Sequence, residues 1–276
     1  MKGIKCMKKI VAQFLIVLGI TGISLLSFAA QGGGNPYGVL AGGQGRLPNL
    51  VNILKDLNVG WIRQNAHLSE DNYSFARFLE NGINLIITIN NDDPENSGGS
   101  YGTPQEYPRA GFPYQSKEVY QGEIRNILKP LVPYLNEGRQ LMVQCENEIG
   151  DASIAQAKSP FWRGNLQQYS RQVQALYEAV KSVDPRIQVV LTSFPSESLD
   201  AVLDSSNNHH KYAENKASAI LSNTNFYDAA DLHFYGCVDT IAAKVRWVKS
   251  HMPADKRWIS TENGGPDFRC SQTPQH

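Results

Sequence analysis

The sequence predicts an α/β protein of repeated βα units around a parallel sheet, a (β/α)8 TIM-type barrel that stops after its seventh strand. Three observations lead there. Short β-branched runs alternate with helical patterns from residue 37 onward. Several of those runs are almost continuously apolar, as strands covered on both faces must be. The composition, 41% hydrophobic and 19% charged over 276 residues, is that of a globular domain and excludes disorder, collagen and coiled coil.

Seven strands can be read in order, at residues 37–40, 59–63, 84–89, 141–145, 187–192, 230–234 and 258–262. The stretches between them have helical period. Leu166, Tyr169, Val173, Leu176, Tyr177 and Val180 recur at spacings of three and four and stop before Asp184-Pro185, where proline cannot continue a helix. Ile241, Val245 and Val248 do the same ahead of Pro253. Earlier helices are expected over 47–57, 73–80 and 118–135, with Pro130 and Pro133 bending or ending the last. Residues 90–116 break the pattern, being crowded with Gly, Pro, Asn and Asp. They leave the C-terminal end of the third strand, so they should lie over the face where α/β proteins bind ligands. Asp92, Asp93, Glu95 and Asn96 have no EF-hand spacing and read as solvated turns.

The first 30 residues have the order of a secretory signal. Lys2, Lys5, Lys8 and Lys9 precede an apolar run from Ile10 to Leu26, and Ser27-Phe28-Ala29-Ala30 supplies small residues for cleavage. The expected mature domain is therefore 31–276, exported to the periplasm or beyond the cell, with no stable membrane insertion after cleavage. It would have 246 residues, close to the ~250 typical of an eight-unit barrel. Cleavage removes four lysines and no acid, leaving 22 basic and 26 acidic residues. Such a surface offers no basic face for nucleic acid. Cys145, Cys237 and Cys270 remain, without a CxxC pair, so neither zinc nor another cofactor is expected. Cys145 reads as core packing; Cys237 and Cys270 each follow a mouth-facing strand and could pair in an exported protein. The sequence says nothing of oligomeric state.

In a parallel barrel, polar residues at the C-terminal strand ends converge on one mouth. The fourth strand runs into Gln144-Cys145-Glu146-Asn147-Glu148 and the seventh ends in Thr261-Glu262-Asn263. Two carboxylates from opposite sides of a ring are what glycosidic hydrolysis needs: one protonates the leaving oxygen, the other attacks or activates water. Glu146 competes with Glu148 for the acid role, because a regular strand would put both on one face and adjacent carboxylates raise each other's pKa.

Here the chain resembles the clan A glycoside hydrolases, retaining (β/α)8-barrel enzymes with an acid/base Glu after Asn on strand four and a nucleophilic Glu ending strand seven. Asn147-Glu148 and Glu262 match those sites, and Gln144-x-Glu146-Asn147-Glu148-x-Gly150 is similar to the strand-four motif of some β-galactosidase families in the clan. The resemblance implies Glu148 as general acid/base, Glu262 as nucleophile, and Asn147 as the ligand of the hydroxyl beside the reacting carbon. It implies that Arg63 keeps the nucleophile ionised and that His233 and Tyr235 orient it. Asn65 and Asn90 are candidate substrate ligands, and Trp61, Trp162, Phe194 and Tyr235 candidate sugar platforms. The implied partner is a carbohydrate substrate, and the implied protein a secreted retaining glycosidase. Two alternatives stay open: a noncatalytic carbohydrate-binding barrel, and an inactive truncated fragment. The second arises because only fourteen residues follow Glu262, without strand or helix pattern, so an eighth βα unit would be missing.

Overall fold

The computed structural model describes residues 35–41, 48–71, 73–99, 101–108, 110–151 and 159–264; the expected leader and Cys270 lie outside them. The chain divides after Pro36, and the unit that begins at Tyr37 carries the sheet. Its seven strands are β1 (Gly38–Leu40), β2 (Trp61–His67), β3 (Asn84–Asn90), β4 (Leu141–Cys145), β5 (Gln188–Phe194), β6 (Ala229–Phe234) and β7 (Arg257–Asn263). All pair in parallel in the order of the chain. The end strands β1 and β7 approach each other, so the sheet curls into a nearly closed barrel.

The helices are α1 (Leu50–Asp56), α2 (Ala76–Glu80), α3 (Lys117–Leu128), α4 (Val132–Asn136), α5 (Leu166–Val183), α6 (Ser196–Leu203), α7 (His210–Leu221) and α8 (Ile241–Ser250). They cover the outside, so parallel strands such as β3, β4 and β6 are buried along their whole length. α5 shows why the sequence chooses helix. Asn165 caps it in a reciprocal box, its side chain accepting from Gln168 N–H at 2.9 Å while its own N–H donates to Gln168 Oε1 at 2.8 Å. Tyr169, Val173, Leu176 and Val180 then form a buried stripe. A truncation such as Leu176→Ala would remove about 2–5 kcal/mol. The expected helix over 118–135 is instead α3, a 3₁₀ turn at Lys129–Leu131, and α4, because Pro130 and Pro133 fit only the first turns of new helices.

Inside the barrel the strands' inward residues stack in layers. The floor holds Ile86, Met142, Val190 and Ala229, flanked by Trp61 and Ile259. Arg63, Thr88, Gln144 and Asp231, each two residues further along its strand, form a buried polar layer above it. β2 is longer than the sequence pattern predicted: it continues through Gln64, Asn65, Ala66 and His67, so Arg63 lies within the strand and not at its end. Two irregularities change the phase of the strands near the mouth. The β5–β6 register shifts between Val190 and Ser193, and the β6–β7 register between Asp231 and His233. Ile259 pairs with Asp231, yet Glu262, an odd number of residues later, pairs with His233. A regular strand would have turned Glu262 toward the helices, and the bulge returns it to the interior.

Candidate active site

At the mouth the structure brings Arg63, Asn147, Glu148, His233, Tyr235 and Glu262 together. Arg63 is 3% exposed and spreads its guanidinium over three partners. Nε donates to Thr88 Oγ1 at 2.9 Å, Nη2 to Asn147 Oδ1 at 2.7 Å, and Nη1 to Glu262 Oε1. Tyr235 OH donates to the other Glu262 oxygen at 2.7 Å. Burial and the negative charge of Glu262 both raise the Tyr235 phenol above its ordinary pKa, so it remains a donor. Glu262 is thus held at both oxygens, as a carboxylate would be.

Glu148 has a different environment. Its Oε1 lies 2.7 Å from His233 Nδ1, and His233 Nε2 lies 3.3 Å from Asp231 Oδ2 and 3.6 Å from Glu262 Oε1. Burial works against the imidazolium, but hydrogen bonds to Asp231 and Glu148 and the charges of Asp231 and Glu262 outweigh it and lift the pKa to about 9. His233 therefore donates from both nitrogens near neutral pH. Glu148, His233 and Glu262 direct one ligand-type atom each to a common region, all within 4.8 Å of one another. With Glu262 already satisfied by Arg63 and Tyr235, and His233 offering protons, this cluster is arranged to hold charge and move a proton.

The strand-four turn separates the two competing acids. Glu146 and Glu148 both have left-handed backbone, at φ 63° and 44°, an unusual conformation for non-glycine residues. The expected alternation, with both carboxylates on one face, does not occur. Glu148 reaches the mouth, while Glu146 is fully buried, its Oε1 accepting from Asn91 N–H at 3.0 Å and Gln172 Nε2 at 2.5 Å. Burial pushes its pKa well up, reinforced by the charge of Asp92 and opposed by the hydrogen bonds from Asn91 and Gln172. Gly111 lies against this side chain: a Cβ there would sit 1.8 Å from Glu146 Oε2.

Asn65 and Asn90 each lie two residues beyond a member of the polar layer, Arg63 and Thr88, in the same inward phase of β2 and β3. Asn65 is exposed on β2; Asn90 is buried at the end of β3, where its carbonyl accepts from Leu68 and Asp92 N–H at 3.0 and 3.1 Å. Among the described residues no side-chain hydrogen bond links either to the carboxylates. Trp162 and Phe194 are fully buried core residues, and Trp61 flanks the barrel floor, so of the four expected platforms only Tyr235 is at the mouth. Cys145 is buried with a free thiol and Cys237 is disulfide-bonded. The described residues of 90–116 are pinned rather than loose. Asn91 Nδ2 donates to Phe112 O at 2.9 Å, and Asn96 Oδ1 accepts from Ser116 N–H at 2.7 Å. Asp92 accepts from Ser69 N–H at 3.0 Å and faces His67 Nδ1 at 2.8 Å, which removes it from the expected solvated turn.

Sequence reasoning missed the layer beneath. Asp231 is 0% exposed and accepts from Gln144 Nε2 at 2.7 Å and Thr261 Oγ1 at 2.6 Å. Thr88 Oγ1 donates to Gln144 Oε1 at 2.8 Å, and Ser193 Oγ to Asn147 Oδ1 at 3.3 Å. The available signal was one acid inside a strand six that is apolar apart from it and His233.

The fold is a seven-stranded (β/α) barrel with two glutamates facing each other at its mouth. No protein-family model and no curated protein matches the chain. Solved structures do: a glucosidase from Croceicoccus marinus has a TM-score of 0.54 at 16% identity, covering 85% of this chain and 52% of that one. The GH39 enzyme from Xanthomonas axonopodis pv. citri follows at 0.51 and 15%, covering 87% and 52%. A monomeric β-xylosidase from Caulobacter crescentus CB15 gives 0.50 at 13%, covering 87% and 53%. The chain spans about half the length of each. At these identities the likeness establishes the shared barrel, and the chemistry must be argued from the site.

Proposed function

We propose that this chain is a retaining glycoside hydrolase that cleaves β-linked glycosides by double displacement, with Glu148 as general acid/base and Glu262 as nucleophile. The observation that carries the reading is the carboxylate pair: an oxygen of Glu148 lies within 4.8 Å of one of Glu262, in contrasting surroundings. That spacing favours direct attack, since inverting enzymes leave roughly 6.5–9.5 Å for a water. Glu262, between Arg63 and Tyr235, attacks the anomeric carbon as a carboxylate. Glu148 gives its proton to the glycosidic oxygen as that C–O bond breaks. In the second step Glu148, now ionised, takes a proton from water, whose oxygen displaces Glu262 and restores both groups. Asn147 Oδ1 is engaged by Arg63 and Ser193, so its amide NH₂ is the part able to donate to a sugar hydroxyl.

The substrate class is a carbohydrate, and because the similar structures include a glucosidase and a β-xylosidase, aryl β-glucosides and β-xylosides are the first to assay. Export of the mature domain through the basic and apolar leader is part of the same reading, tested by the N-terminal sequence of the protein recovered outside the cytoplasm. Glu262→Ala should abolish hydrolysis, with azide restoring part of it. Glu148→Ala should spare aryl glycosides with activated leaving groups and lose the rest. Full activity in either variant would sink the assignment, and glycan binding without hydrolysis by the unmodified protein would favour the noncatalytic alternative.

A further inference from the structure

We propose that Asp231 is a positioning residue for both carboxylates, acting through His233 on Glu148 and through the β7 bulge on Glu262; this rests on the glycosidase reading above. Asp231 is fully buried and collects four donors from three strands. Oδ2 accepts from Gln144 Nε2 of β4 at 2.7 Å and Thr261 Oγ1 of β7 at 2.6 Å, and pairs with His233 Nε2 of its own strand at 3.3 Å. Oδ1 accepts from Thr261 N–H at 3.0 Å.

The last bond matters because of the bulge. The β6–β7 pairing passes from Asp231 opposite Ile259 to His233 opposite Glu262, and the Thr261 amide turns to the Asp231 side chain. Asp231 thereby stabilises the irregularity that turns the next residue, Glu262, inward. On the other side its Oδ2 lies 3.3 Å from His233 Nε2, which is hydrogen-bonded at 3.2 Å to Thr261 Oγ1, itself a donor to Asp231; that fixes the ring with Nδ1 2.7 Å from Glu148 Oε1. With that oxygen committed to the ring, the second Glu148 oxygen is left for the glycosidic bond.

The charges facing this pair come from four elements: Arg63 on β2, Glu148 after β4, Asp231 on β6 and Glu262 on β7, with the Tyr235 ring edge-on to His233 at 6.4 Å. Arg63 and His233 place positive charge beside Asp231, Glu148 and Glu262. Burial alone would raise the Asp231 carboxyl, but the His233 bond and charge, Arg63 and Thr261 hold it at about 2. It is ionised throughout the working range.

The test is Asp231→Asn in the full chain, read three ways. Nitrogen-detected NMR should show His233 as imidazolium through pH 8 in the unmodified protein and mostly neutral by pH 7 in the variant, since the amide carries no negative charge to hold the ring cation 3.3 Å away. A cation beside two carboxylates favours their ionised forms, so its loss should move both limbs of the pH profile of kcat/KM upward by half a unit or more. Finally kcat should fall roughly 10- to 100-fold with KM within about threefold. A merely structural aspartate would lower activity without moving the limbs or the imidazole titration, and that result overturns the proposal. If the variant does not fold, the unmodified protein decides: a His233 ring that titrates near 6.5 overturns it, and one that stays charged through pH 8 supports it. Failure of the unmodified protein to hydrolyse any glycoside would remove the glycosidase reading and leave the imidazole titration to test the ring contact. Active protein with an unshifted Asp231→Asn profile would remove only the role of Asp231.

Discussion

Replacing Arg63 with lysine keeps the charge and removes the fork. The guanidinium serves Thr88, Asn147 and Glu262 from three different nitrogens, at 2.9 Å and 2.7 Å for the first two. One ammonium on a shorter reach can keep a single partner, and the natural choice is the Glu262 carboxylate. The Thr88 and Asn147 contacts are then lost inside a layer where little water can replace them. Hydrogen bonds from a charged group are worth about 1.5–3 kcal/mol each, and some return through repositioned neighbours, so the variant should be less stable by about 2–4 kcal/mol. Activity should suffer more than stability implies, because Asn147 precedes Glu148 and a displacement near 1 Å can lower rates about 100-fold. Urea unfolding followed by far-UV circular dichroism gives the first quantity; kcat on an aryl β-glycoside gives the second. A variant within 0.5 kcal/mol and about threefold of the parent would refute the bridging role.

Three further outcomes follow from the same contacts. Gly111→Ala places a Cβ 1.8 Å from Glu146 Oε2, and because that side chain is buried and bonded it cannot yield cheaply; a loss of about 1–3 kcal/mol or more in thermal or urea unfolding is expected. Tyr235→Phe removes the donor 2.7 Å from Glu262 Oε2 without altering the core, so kcat should fall about 10- to 100-fold while the urea midpoint stays within experimental error. His233 has its pKa raised in the folded state to about 9, so the stability it contributes is fully present below the unfolded value near 6.5 and is lost as pH rises toward 9. Between pH 6.5 and 8 this amounts to on the order of 2 kcal/mol, measurable as a falling urea midpoint that Asp231→Asn should flatten. Above pH 8 the buried Lys216, whose ammonium is held at about 8, works in the opposite sense, so the lower window is the informative one.

Much of the architecture was legible because parallel strands covered by helices must be apolar along their length. β3, β4 and β6 were recoverable to within a residue or so on that ground. β2 was read short because the upper half of a barrel strand lines a polar mouth, so Gln64, Asn65 and His67 look like a loop. α6 and α7, which together follow β5, have mixed polar faces and escaped the period search. At the site, Glu148, Glu262, Arg63, Asn147, His233 and Tyr235 could be picked out by position near strand ends. Their facing could not, since it depends on the β7 bulge and on left-handed backbone at Glu146 and Glu148, neither of which leaves a mark in residue type. Asp231 was overlooked for a related reason: alternation places it inside the barrel but does not reveal that three strands direct donors at it.

The central claim is that Glu148 and Glu262 work by double displacement, and the stereochemistry of the first product tests it most directly. Proton NMR of a β-glycoside hydrolysed by the unmodified protein, recorded before the sugar mutarotates, should show the β-anomer first. Initial appearance of the α-anomer would mean single displacement by water, and would contradict a mechanism built on two carboxylates within 4.8 Å.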